Sequence, residues 1–226
     1  MYLIDKTSHP YFQSLAQYVR DKKGGIITND YSLEGTWVLF YPSFLHEVKV
    51  KNYIAVHTEQ LNAKGGEKYL AWLAGSSEIW DWTDNFKIGY SDVWRLEYEE
   101  AKEIDVLFYG LVNNKRAEVL QKIPRTFIIK DYYGTELMKY AMKSKIVLST
   151  HYYANPNNDL PRIAPLLSNK IFVIAEECED KWFNDYRDSL VICSKEEIPE
   201  KVKYYLNNPL ERIKMIDKGY ELIKTI

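Results

Sequence analysis

Apolar residues fall in two kinds of run that alternate along the whole chain. Short unbroken runs appear as "YLI" (2–4), "IIT" (26–28), "WVLFY" (37–41) and "YIAVHTE" (53–59). Between them lie stretches whose apolar positions recur every three or four residues. These are "HPYFQSLAQYVRDKK" (9–23) and "GEKYLAWLAG" (66–75), where Leu70, Leu73 and Ala74 share one helical face. After "SEIWDWTDNF" (77–86) the pattern restarts with "DVLFYG" (105–110), "TFIIK" (126–130), "KIVLST" (145–150), "IFVIAE" (171–176) and "LVIC" (190–193). Helix-period stretches follow at 113–123, 134–144, 159–169, 196–208 and 209–226, the last opened by Pro209. Unbroken apolar runs predict strands buried on both faces rather than on one. Their alternation with helical stretches predicts parallel sheets joined by right-handed crossovers.

The charged stretch 92–104 divides two such series. The expected fold class is therefore α/β, as two Rossmann-like lobes facing one another across a cleft. A reduced N-terminal lobe spans 1–91, a linker 92–104 and a second lobe 105–208. The closing helix 209–226 could pack back on the first lobe. In such sheets ligands lie at the carboxyl ends of the strands, which turns strand ends into candidate sites.

Composition narrows the chemistry. Among 226 residues, 46% are hydrophobic and 27% charged, while aromatics reach 15% with 19 Tyr and 6 Trp, rings suited to packing and to stacking on sugars or bases. A net charge of −2 gives no general attraction to nucleic acid or anionic membranes. Split at Tyr90, the first part carries 9 Lys and Arg against 10 Asp and Glu, so neither part is a basic module. Cys178 and Cys193 are too few for a disulfide framework and are expected to be buried thiols. The start, "MYLIDKTSHP", has no signal-peptide pattern, and no run approaches 18 apolar residues. A soluble, cytoplasmic protein is expected. Neither the G-x-G-x-x-G fingerprint nor a P-loop motif is present.

The strand ends of the second series are rich in hydrogen-bonding side chains. They are Tyr109-Gly110, Lys130 to Gly134, His151-Tyr152-Tyr153 and Glu176-Glu177. Arg116 falls early in a helix, where free amides favour anions. Asp159 is placed like an N-cap, and Arg162 follows one turn in, where the dipole disfavours a cation. A bound diphosphate would reconcile the two. The plainer reading is that Asp159 only caps its helix and Arg162 only pairs with Asp159 or Glu176. Convergence of four strand ends favours a site.

Three stretches carry a family resemblance: "DVLFYGLVNNKR", "GTELMKYAMKSKIVLSTHYY" and "RIAPLLSNKIFVIAEE". They resemble the donor lobe of GT-B glycosyltransferases, closest to a small subgroup with a YG-x-x-N-x-R turn and a K-I-V-L-x-x-H-Y-Y…E-x-x-R-I-x-x-L-L-x-N-K stretch. "YIAVHTEQL" and "YLAWLAGSSEIWDWTDNF" are similar to that subgroup's acceptor lobe. The resemblance spans roughly residues 50–180. It departs from the subgroup at "DLPRI", where Asp159 stands for the longer Glu, and at "IAEE" for "VVSE". It implies transfer of a sugar from a nucleotide-diphosphate sugar to a hydroxyl acceptor, on a glycan, with no cofactor and no bound metal. The donor-binding candidates are Tyr109, Gly110, Asn113, Arg116, Lys130, Tyr133, His151, Tyr152, Asp159, Arg162 and Glu176. Arg116, Arg162 and Lys130 would meet the diphosphate, Asp159 and Glu176 the hydroxyls of ribose or sugar, and Tyr132, Tyr133, Tyr152 and Tyr153 the rings. An inverting enzyme needs a general base as well, and His57, Glu59 and Asp81 are the catalytic candidates. A hydrogen-bonded structural role for His57 is the rival reading, and Trp72, Trp80 and Trp82 read better as core than as a sugar platform. Two alternatives stand beside this one. The first is a phage-type transferase acting on hydroxymethylated bases in DNA, and the second a non-catalytic nucleotide- or glycan-binding module.

Overall fold

The structure, a computed structural model, describes residues 1–6, 10–40, 50–57, 66–96, 101–153, 159–180 and 183–226. The chain divides into two compact units, Met1–Lys87 and Ile88–Ile226.

The first unit runs β1 (Tyr2–Asp5), α1 (Pro10–Lys23), β2 (Ile26–Thr28), β3 (Thr36–Phe40), β4 (Tyr53–His57), α2 (Gly66–Ala74) and β5 (Glu78–Asp81). Its strands form one parallel sheet in the order β2-β1-β3-β4-β5. The central strands are buried on both faces, as unbroken apolar runs require: Leu3, Ile4, Val38, Leu39, Ala55 and Val56 are all enclosed. From α1, Leu15, Ala16 and Val19 add to the core, and the Tyr18 hydroxyl donates to the Lys87 carbonyl at 3.1 Å. Arg20, Lys22 and Lys23 end that helix where its dipole favours cations. Gly25 opens β2 at φ +116°, and a Cβ there would lie 2.5 Å from the Tyr2 carbonyl oxygen, so the close approach of the two strands requires glycine.

In the second unit a 3-10 turn at Asp92–Trp94 precedes β6 (Ile104–Tyr109), α3 (Asn114–Leu120), β7 (Thr126–Ile129), α4 (Gly134–Met142) and β8 (Ser144–Ser149). Then come α5 (Leu160–Ser168), β9 (Val173–Glu176), β10 (Val191–Cys193), α6 (Ile198–Asn207) and α7 (Pro209–Thr225). The sheet is again parallel, in the order β10-β9-β8-β6-β7. Val106, Phe108, Ile146, Leu148 and Ile174 form its core with Val119 and Leu120 of α3 and Ile198 and Val202 of α6. Burying each such side chain is worth about 1.5–3 kcal/mol. In the edge strand β7 Phe127 and Ile128 are exposed, whereas Val191 and Cys193 of the opposite edge strand β10 are buried.

The described part of the charged stretch 92–104 is held by the second unit. Leu96 N donates to Asn169 Oδ1 at 2.8 Å, and just before it Tyr90 N donates to the Ile223 carbonyl at 3.0 Å. The α7 helix packs on α5 and α6. Burial pushes the Cys178 thiol up to about 11 and the Cys193 thiol up to about 12, so both are protonated at neutral pH. No helix among the described residues is long and apolar enough to cross a membrane.

Both sheets share one plan. The first strand of each lies between its second and third, so the chain winds to one side and then to the other. The switch points fall between β1 and β3 and between β6 and β8, where open α/β sheets bind ligands.

Candidate functional site

At the second switch point β6 ends in Tyr109 and the backbone turns through Gly110, at φ +119°. Few L side chains adopt that angle. A Cβ there would lie 3.6 Å from Arg116 Nη1 and 3.7 Å from Arg162 Nη2, so two guanidinium groups converge on one glycine.

Arg116 comes from the first turn of α3, where Asn113 Oδ1 caps the helix by accepting the Arg116 N–H at 3.0 Å. Its Nε and Nη2 donate to the Thr150 carbonyl at 3.0 and 2.6 Å, and Nη1 donates to the Leu111 carbonyl at 2.7 Å. The group lies over the rings of Phe108 and Tyr152. Its hydrogen-bond partners are carbonyls rather than carboxylates, so they orient the charge without cancelling it.

Arg162 belongs to the first turn of α5. Its Nη2 donates to the Tyr109 carbonyl at 2.5 Å, and its guanidinium stacks 4.3 Å from the centre of the Tyr109 ring. The Tyr109 hydroxyl returns a bond to the Arg162 carbonyl at 3.2 Å. Asp159 occupies the N-cap position, yet its carboxylate makes no capping bond. Instead Oδ2 accepts from Ser149 Oγ at 2.7 Å and stands 3.7 Å from Arg162 Nη1.

Glu176, at the end of β9, holds the end of β8. Its Oε2 accepts the His151 N–H at 2.8 Å, its Oε1 pairs with Lys115 Nζ at 2.8 Å, and its carbonyl meets His151 Nε2 at 2.9 Å. Lys115 Nζ also reaches the Tyr153 carbonyl, and Asn113 Nδ2 donates to that of Tyr152 at 2.8 Å.

Three cations, Arg116, Arg162 and Lys115, thus stand with two carboxylates, Asp159 and Glu176. Burial, and after it the Arg162 charge, pushes Arg116 down to about 10. Burial also raises the Tyr109 phenol, against the opposing pull of Arg162. A partly buried cluster with a surplus of positive charge is suited to an anion.

The structure brings Tyr109, Gly110, Asn113, Arg116, His151, Tyr152, Asp159, Arg162 and Glu176 together around this switch point. Lys130 is exposed just beyond the edge strand β7, and Tyr133 is exposed where α4 begins. Tyr132 packs edge-on against Tyr140, at 5.1 Å.

In the first unit, parallel register sets His57 beside Asp81 at the ends of β4 and β5. His57 Nδ1 hydrogen-bonds the Tyr69 hydroxyl, and Nε2 faces Asp81 Oδ2 at 3.9 Å. Asp81 Oδ1 is held by Thr83 N and Oγ1 at 2.8 and 2.7 Å. The imidazole is buried and stacks on Trp82. Burial lowers its pKa, and Asp81 opposes the shift. Both ring nitrogens are thus directed at protein groups, and a base role requires one of them to be released. Trp80 and Trp82 are core residues, while Trp72 stacks on Tyr53 and Tyr69. Glu59 lies outside the described residues. At this sheet's own switch point Asp5 is buried, its carboxyl raised by burial and opposed by a 2.5 Å bond from the Tyr31 hydroxyl.

A family model described as "Glycosyl transferase-like" matches residues 95–225, more than half of the chain and nearly all of the second unit. The chain belongs to the glycosyl transferase-like family. No curated protein matches it. Membership supports glycosyl transfer and implies a sugar donor and an acceptor as substrates.

In this glycosyl transferase-like chain, sequence reasoning missed Lys115, Ser149 and Thr150. For Lys115 the signal was available: counted from Tyr109, the basic position of a YG-x-x-N-x-R turn falls on Lys115, with Arg116 one place further on. Ser149 and Thr150 end a strand, and a hydroxyl there carries no mark separating a site residue from an ordinary strand terminus.

Proposed function

We propose that the second unit binds a nucleotide-diphosphate sugar and that the chain transfers the sugar to a hydroxyl acceptor, on a glycan, in the manner of GT-B enzymes. The observation that carries this reading is the convergence of Arg116 and Arg162 on Gly110 at the switch point. Transfer requires departure of a nucleoside diphosphate, whose growing negative charge must be met as the sugar–oxygen bond breaks. Two guanidinium groups already oriented by the Thr150, Leu111 and Tyr109 carbonyls meet it with little reorganisation and without a metal ion. The positive φ of Gly110 leaves bare backbone beside both cations, where a phosphoryl oxygen can approach.

The acceptor belongs to the first unit in this reading. There His57 and Asp81 form the candidate base pair, with Glu59 following in sequence. A base takes the proton of the attacking hydroxyl as the new glycosidic bond forms.

Isothermal titration of the chain with UDP, GDP, dTDP and ADP in EDTA, and turnover with their glucose conjugates, tests the proposal. One nucleotide should bind without metal, and Arg162→Ala should weaken it about tenfold to a hundredfold, the range of one charge-assisted hydrogen bond of ~1.5–3 kcal/mol. Circular dichroism of the variant should match the parent. An affinity left unchanged by Arg162→Ala, or no binding by the parent chain, would overturn the assignment.

A further inference from the structure

We infer, resting on that donor-site reading, that His151 is a specificity-determining residue. Its Nδ1 accepts a hydrogen bond from a hydroxyl of the sugar nucleotide.

His151 Nε2 lies 2.9 Å from the Glu176 carbonyl oxygen, which can only accept, so Nε2 carries the proton. In the neutral ring that is the one N–H, which places the lone pair on Nδ1. That atom is buried and has no hydrogen-bond partner. Leaving a buried acceptor unpaired costs about 1–3 kcal/mol, and such atoms are rare. Among the described residues four buried side-chain polar atoms are in this state. Two of them, Thr150 Oγ1 and His151 Nδ1, are on neighbouring residues at the end of β8, beside the switch point.

Loose packing does not explain them. The Thr150 carbonyl holds Arg116, the His151 N–H is fixed to Glu176 Oε2, and the Tyr152 carbonyl is held by Asn113. The strand end is held through its backbone and one ring nitrogen, which leaves Nδ1 as the acceptor of the ring that the protein does not use. Phosphate oxygens are themselves acceptors and cannot satisfy it. A hydroxyl can, and a sugar nucleotide offers hydroxyls on its ribose and on the transferred sugar. Arg116 and Arg162 would read the diphosphate, and His151 would read a neighbouring hydroxyl.

Two substitutions separate the ring nitrogens. His151→Gln places an amide near the Nε2 position and removes the Nδ1 acceptor, while His151→Asn keeps a polar atom near Nδ1. Titration calorimetry would use whichever of UDP, GDP, dTDP and ADP the parent chain binds, its 2′-deoxy and 3′-deoxy forms, and its glucose and deoxyglucose conjugates. For the parent chain, loss of the recognised hydroxyl should weaken binding about tenfold, the factor expected for one hydrogen bond of ~1.4 kcal/mol. His151→Gln should weaken the intact ligand by the same factor and lose no more with the deoxy form, whereas His151→Asn should keep the discrimination. Discrimination among the deoxy nucleotides assigns the hydroxyl to the ribose; discrimination among the conjugates assigns it to the transferred sugar. Nitrogen-15 spectra of the free protein should show His151 protonated at Nε2, with the Nδ1 resonance moving when nucleotide binds. Equal losses for every ligand in His151→Gln, no loss at all, or a free protein protonated at Nδ1 would overturn the inference while leaving the Arg162 result intact. A parent chain that binds none of these nucleotides removes the donor-site reading and this inference together.

Discussion

At the scale of single residues, the two units differ in what their buried polar groups do. In the second unit carbonyls orient cations, which leaves charge for a ligand. In the first, His57 is directed at Tyr69 and Asp81, and its imidazole is kept neutral by burial. That has a consequence for stability. The unfolded chain takes up the proton near the ordinary histidine value of about 6.5, whereas the fold resists it until lower pH. Protons therefore bind the unfolded state first, so the stability that His57 contributes is full above that pH and declines as pH falls below it. Urea unfolding of the parent between pH 8 and 5 should show this decline, and His57→Gln should flatten it. Equal slopes in the two proteins would mean that His57 does not titrate in this window. Residue chemistry was the least legible part of the sequence. Arg116 and Arg162 were found because strand ends and helix starts have sequence signatures. Nothing in the letters says that Arg116 would be held by Thr150, or Glu176 by Lys115 and His151, because those partners are 34, 61 and 25 residues away along the chain.

Elements were more legible. Unbroken apolar runs became strands, buried on both faces in the middle of each sheet but with Ile26, Phe127 and Ile128 exposed on the edge strands β2 and β7, and helix-period stretches became the crossovers between them. Strand order is a different matter. The pattern predicts parallel strands but not that β6 would lie between β8 and β7, which depends on the side to which each crossover turns. That order creates the switch point, and Gly110, at φ +119°, turns the chain from β6 toward the next helix. Gly110→Ala tests the element directly. The added Cβ meets only ordinary contacts, at 3.6 and 3.7 Å from the guanidinium nitrogens, so the main cost is the backbone angle, about 1–3 kcal/mol. The variant should melt at a lower temperature and bind nucleoside diphosphate more weakly, because relaxing φ moves the turn that both arginines flank. A variant with unchanged melting temperature and affinity would show that this turn is neither strained nor part of the site.

For the molecule as a whole, the repeated strand order is the organising fact. Two sheets of five parallel strands each place a switch point at the end of their first strand, yet their chemistry is not repeated. The second carries clustered cations, while the first carries the buried acid Asp5. The family match also falls on the second unit, over residues 95–225. If the second unit alone holds the nucleotide, ligand-induced stabilisation must begin there. At a nucleotide concentration one hundred times its dissociation constant the binding-competent state gains about 2.7 kcal/mol, enough to slow local opening roughly a hundredfold. Hydrogen exchange with saturating nucleoside diphosphate should therefore slow at the backbone amides of Gly110 to Arg116 and of Ser149 to Tyr153, and at the start of α5. Amides of β1 to β5 should exchange as they do without ligand. Protection confined to the ends of β4 and β5 instead would move the nucleotide to the first unit and assign the arginine cluster a structural role, since two guanidinium groups that bind the donor cannot leave their own backbone partners unprotected.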